Sequence, residues 1–100
     1  MKKTITEVRQ EIKARLIEGL RRDVARLPKD AEFHLVGSFA TEDEWDGLSD
    51  VDIVCVSELG DFNSAHFPSV DRAKDVLNFT PESLTENRVF SAAVARGAKL

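Results

Sequence analysis

Asp50-Val51-Asp52-Ile53 sets two carboxylates two residues apart at the opening of an apolar run that continues through Val54-Cys55-Val56. In a β-strand, residues i and i+2 share a face. Asp50 and Asp52 then point the same way, with Val54 and Val56 continuing their face and Val51, Ile53 and Cys55 on the other. Apolar residues on both faces predict a central strand covered on both sides. Two carboxylates at the mouth of such a strand repel each other and resist desolvation. A divalent cation resolves that conflict, and Mg²⁺ takes one or two carboxylates together with water and phosphate oxygens.

A second pair of residues supplies the other half of this chemistry. The run His34-Leu35-Val36 ends in Gly37-Ser38. Glycine lets the backbone adopt a positive φ and come close to a ligand. Free N–H groups in such a turn form an anion-binding nest, and a serine hydroxyl adds a donor. A phosphate on Gly37 and Ser38 meets a metal on Asp50 and Asp52 if the two strands are neighbours. An ordinary turn and loop end would account for Gly37-Ser38 and Ser49-Asp50. They do not account for Asp52, which lies inside the apolar run.

The elements that must position these residues follow from periodicity and capping. Ile5, Val8, Ile12, Leu16, Leu20, Val24 and Leu27 recur every three or four residues and predict a helix over Thr4–Leu27, its apolar stripe facing the core. Thr4 and Glu7 match a capping box, and Pro28 ends the helix. Gly19 costs about 1 kcal/mol there relative to alanine. Ala31–Val36 reads as the first strand, with His34 as a packed or edge residue lacking the clustered partners of a metal site. Residues 39–49 form a loop carrying Trp45, and Val51–Val56 is the second strand. Residues 57–74 are poorly periodic, with a helical turn expected near Val70–Ala73. Asp75–Phe79 is the third strand. Thr80-Pro81 opens a second helix that ends at Gly97.

Composition bounds the rest. The 100 residues predict one domain, 1–100. With 42% hydrophobic and 32% charged residues the chain is globular, and its core is small. No apolar run is long enough to span a membrane, and no signal-peptide pattern is present. The single cysteine, Cys55, reads as a buried inert thiol, which points to the cytoplasm. The net charge is −4, with Glu42-Asp43-Glu44 and Asp46 in the loop, so no basic stripe for nucleic acid is expected.

A hydrophobic residue, Gly-Ser, about a dozen residues, then Asp-hydrophobic-Asp-hydrophobic resembles the signature of the nucleotidyltransferases of the DNA polymerase β superfamily. The short chain resembles their minimal (MNT) branch. The resemblance implies an α/β (α+β) fold: a small mixed sheet of three to four strands packed by an N-terminal and a C-terminal helix, with the helices on one side. It implies two Mg²⁺ ions on Asp50, Asp52 and a third acid from a later strand. Lys74-Asp75-Val76-Leu77, followed by Leu84, Phe90 and Gly97, matches that arrangement and makes Asp75 the candidate, with Asp71, which precedes the apolar run, as the runner-up. Gly37 and Ser38 would hold the triphosphate of ATP or another NTP.

By the same resemblance the chain transfers a nucleoside monophosphate, AMP from ATP, to a hydroxyl acceptor. A chain this short implies an acceptor surface supplied by a HEPN-type protein partner or a second copy in a homo-oligomer, in a toxin–antitoxin setting. The alternative is an inactive module of the same fold that binds a HEPN-type toxin. Thr41, where relatives often carry arginine, and the acidic loop favour that alternative. A third reading, transfer to an aminoglycoside, needs a further drug-binding domain.

Overall fold

The computed structural model describes residues 3–37, 51–58 and 60–100. The expectations for Ser38, Thr41, Trp45, the acidic run and Asp50 lie outside the described residues. In chain order the elements are α1 (Ile5–Val24), β1 (Glu32–Val36), β2 (Val51–Val56), a 3₁₀ turn (Ser64–His66), β3 (Lys74–Phe79), α2 (Pro81–Glu86), α3 (Arg88–Arg96) and β4 (Ala98–Lys99). The four strands form one sheet in the order β3-β2-β1-β4. β1 pairs antiparallel with both β2 and β4, and β2 pairs parallel with β3. This is the mixed α+β sheet expected from the sequence.

β2 occupies the predicted interval, because its two faces meet two different cores. Val51, Ile53 and Cys55 join Phe33, Leu35, Phe67 and Val70, with Leu16, Leu20 and Val24 of α1 packed against them. Val54 and Val56 join Val36, with Phe79, Leu84, Phe90 and Val94 packed against them. Helices therefore cover both faces, not one. α1 lies on the Ile53 face, and α2 and α3 lie on the face that Asp52 shares with Val54.

Three local expectations are corrected. The helix expected over residues 80–97 is broken at Asn87, whose backbone is extended (φ −98°, ψ 99°) and whose side chain caps α3 by accepting from the Phe90 amide. An asparagine offers the backbone this alternative to continuing a helix. The turn expected near Val70–Ala73 forms instead at Ser64–His66. There the Asn63 side chain accepts from Ala65 N, and His66 Nδ1 accepts from Asn63 N. The apolar stripe of α1 is core-facing only from Leu16 onward. Ile5, Val8 and Ile12 are exposed, the first by 73%. Thr4 caps α1 as expected, its hydroxyl accepting from the Glu7 amide.

The parallel β2–β3 pair needs a crossover, and among its described residues only Ser64–His66 are helical. Side chains hold it in place. Asp23 on α1 is buried and accepts from Ser69 N (3.0 Å) and Ser69 Oγ (2.6 Å). Gly19, one turn earlier, leaves room for the same serine. Lys74 Nζ donates to the carbonyls of Phe67 (2.9 Å) and Val70 (2.5 Å). Asn78 accepts from Phe62 N and donates to Phe62 O, as a strand would. Among the described residues no helix is long and apolar enough to cross a membrane.

This packing can be tested at two buried groups. Asp23→Ala removes both Ser69 bonds and is expected to lower stability by about 1–3 kcal/mol in urea denaturation; an unchanged midpoint would remove Asp23 from the set of crossover anchors. Burial pushes the Cys55 thiol up to about 12. Its proton is held more tightly in the folded state, so that contribution to stability is full below the unfolded value near 9 and is lost as pH rises toward 12. A thiol reagent at pH 8 is expected to leave the native chain unmodified and to react at once in denaturant; rapid native labelling would contradict the burial.

Candidate active site

The register of the sheet decides which sequence candidates meet. Val36 on β1 lies opposite Asp52 on β2, and Asp52 lies opposite Asp75 on β3. The three form one row across neighbouring strands, each strand about 4.8 Å from the next. Because β1 runs toward this row and β2 and β3 start from it, all three sit at one end of the sheet. Asp52 and Asp75 are each the second residue of their strand. Asp52 is half-buried and Asp75 is exposed, so the pair stands at the edge of the core and not within it.

Gly37 closes the row. Its φ of 78° lies in the left-handed region, where glycine alone of the residues carries no steric cost. A β-carbon built on it would overlap Asp52 Oδ2. The residue that turns the chain after β1 is thus also the one that lets the backbone pass against the carboxylate. Ser38 and Asp50, the remaining candidates, fall outside the described residues.

In front of the row lies a cavity of roughly 400 Å³, bordered by Val36, Gly37, Asp52, Asp75, Leu77, Phe90 and Ala93. Its far wall comes from α3. Helical period alone assigns Phe90 and Ala93 to a core stripe and misses this second role. The signal is present in the strand period: Asp75, Leu77 and Phe79 share a face of β3, so whatever packs on Phe79 borders Asp75. Phe90 packs on Phe79 with ring centroids 5.2 Å apart. Gly97 sets the distance of that wall, since a β-carbon there would overlap the Leu35 carbonyl of β1.

His34 lies on the same face as Asp52 but nearer the β4 edge. Its Nε2 is 3.5 Å from Glu32 Oε2, and it is packed, as expected, and not a member of the acidic pair. Among the described residues no group of three or more His, Cys, Asp or Glu is placed to hold a metal ion. Asp52 and Asp75 form a pair, which with water and phosphate oxygens is the donor number Mg²⁺ takes from protein. Both supply hard carboxylate oxygens, and their mutual repulsion would be relieved by a bound cation.

Comparison with known families then matches residues 17–89 to the nucleotidyltransferase domain. That interval includes β1, β2, β3 and Gly37, Ser38, Asp50, Asp52 and Asp75, and ends just before the α3 residues Phe90 and Ala93 that border the cavity. The chain belongs to the nucleotidyltransferase domain family. Comparisons with curated proteins and with solved structures yield no match. Membership fits the geometry: an acid row beside a glycine turn, on a mixed sheet, is an arrangement able to bring a phosphate chain and metal ions together.

For this nucleotidyltransferase domain, Gly37→Ala is expected to cost about 1–2 kcal/mol in thermal denaturation, from the left-handed φ and from the overlap with Asp52. An unchanged midpoint would show that neither constraint operates at residue 37.

Proposed function

We propose that the chain transfers a nucleoside monophosphate, AMP from ATP, to a hydroxyl acceptor, as a member of the minimal branch of the nucleotidyltransferases. The observation that carries the reading is the row in which Asp52 and Asp75 stand side by side, next to the positive-φ Gly37. Gly37 and Ser38 would hold the triphosphate through backbone N–H groups and the serine hydroxyl. Asp52 and Asp75, with Asp50, would hold two Mg²⁺, which neutralise the phosphates and lower the cost of the attacking and leaving oxygens.

In the transfer the acceptor hydroxyl gives up its proton, and its oxygen forms a bond to the α-phosphorus. The bond from that phosphorus to the oxygen bridging to the β-phosphate breaks, and pyrophosphate leaves. Asp75 is the more exposed of the two acids, which suits it to face the incoming hydroxyl and take its proton. Asp52, wedged between Gly37 and Asp75, suits the fixed position nearer the phosphates. The acceptor surface would come from a HEPN-type protein or a second copy of the chain.

The second reading is an inactive partner module that binds a HEPN-type toxin. Thr41 and the run Glu42-Asp43-Glu44 favour it, since the sequence that follows Gly37-Ser38 carries three acids where relatives often carry an arginine.

A thermal melt with ATP, with and without Mg²⁺, separates the two. A ligand at a hundred times its Kd adds about 2.7 kcal/mol, several degrees for a domain of this size. The transfer reading expects a Mg²⁺-dependent upward shift that disappears in the double variant Asp50→Ala/Asp52→Ala. It also expects Asp52→Asn to abolish transfer from labelled ATP while melting as wild type does. A flat melt in wild type would decide for the inactive module.

A further inference from the structure

The wall that α3 presents to the acid row has no part in holding phosphate or metal, yet it borders the same cavity. Phe90 and Ala93 are three residues apart and share a helix face. With Leu77 and Val36 they make that side of the cavity apolar, and among the described residues the polar side chains that border it are Asp52 and Asp75. Phe90 is held in place by Phe79 beneath it, and α3 is held close to β1 by the bare Gly97. The wall is therefore fixed by the core and is not a loose surface. The cavity volume, roughly 400 Å³, lies within the range of small-molecule sites.

A group seated on this wall meets carbon atoms on one side and carboxylate oxygens on the other. A sugar or a polyamine would turn unpaired polar groups toward Phe90, Ala93 and Leu77, which is costly. A nucleobase can lay its face on Phe90 with its edges toward the open side of the cavity, and it then competes with any acceptor for this wall. A compact apolar group with one hydroxyl turns no polar group toward the wall: its skeleton covers the wall, and its hydroxyl reaches the exposed Asp75. We infer that the acceptor hydroxyl of the transfer proposed above, on the partner protein or second copy that supplies it, is an alcohol on a compact apolar group that seats on this wall, and that Ala93 sets the room for it. This rests on the transfer reading for its role, but the seat itself exists without nucleotide.

The test uses para-fluorobenzyl alcohol as the probe, followed by fluorine NMR on the whole chain. Saturable binding in the millimolar range is expected in wild type. Ala93→Leu fills the seat and is expected to weaken binding on the order of tenfold. Ala93→Ser, which keeps the volume and adds a hydroxyl, covers the case in which the leucine variant does not fold, and is expected to weaken it several-fold. Arg88→Ala, on α3 but on the helix face away from Phe90 and Ala93, should bind as wild type does. Benzyl alcohol should displace the probe, and glycerol and adenosine should not. Added Mn²⁺ should broaden the bound probe in wild type and not in Asp52→Asn/Asp75→Asn.

No binding in wild type, wild-type binding in both Ala93 variants, or displacement by glycerol or by adenosine would each overturn the inference; probe binding without a Mn²⁺ effect counts, like a flat ATP melt, against the transfer reading. Probe binding with a flat ATP melt removes the transfer reading and leaves the apolar seat. An ATP shift without probe binding removes the seat and leaves the transfer reading.

Discussion

Two like charges held on adjacent strands are the constraint around which this fold is arranged. Asp52 and Asp75 face each other across a parallel pair, and a slip of one residue would turn either of them into the opposite core. The register is kept by apolar residues on both sides of β2, which lock its faces to different helices. It is kept also by the crossover, whose carbonyls are gripped by Lys74, the residue before Asp75. The acids are thus placed by groups that themselves do no chemistry.

The two-sided core has a division of labour. The α1 side contains Phe33, Phe62 and Phe67, with Phe33 edge-on to both neighbours at 5.0 and 5.9 Å. It supplies most of the buried apolar surface. The α2–α3 side is thinner and half-exposed, and it is the side that carries the acids. A cavity can form there because the helices cover Val54 and Val56 but leave the first turn of the strands open.

Much of this is readable from residue order. β2 is legible to the residue, since an apolar run with an acid at its second position fits few roles besides a strand that opens onto a site. The pairing of Asp75 with Asp52 is reached by resemblance and not by pattern: nothing in Lys74-Asp75-Val76 states which strand it will lie beside. The break at Asn87 is hidden because Leu84, Phe90, Ala93 and Val94 keep a helical period across it, and one side-chain cap outweighs that period. β4 is hidden because two residues, Ala98 and Lys99, carry no alternation to read. The stripe of α1 misleads in the opposite sense. Its period is continuous from Ile5 to Leu27, but the sheet beneath it runs out before the helix does.

That overhang divides α1 into two unequal halves. A 20-residue helix is about 30 Å long, while the five residues of β1 reach about 17 Å. The half from Leu16 to Val24 is tied to the core by Leu20 and to the crossover by Asp23. Among the described residues the half from Ile5 to Ile12 joins neither hydrophobic core, and a segment that short is marginal as a helix in water. Protection of its amides against solvent exchange therefore falls along one continuous helix, from the level of global unfolding at Leu20 to that of local fraying at Ile5. The helix is a single element by geometry and two by cooperativity.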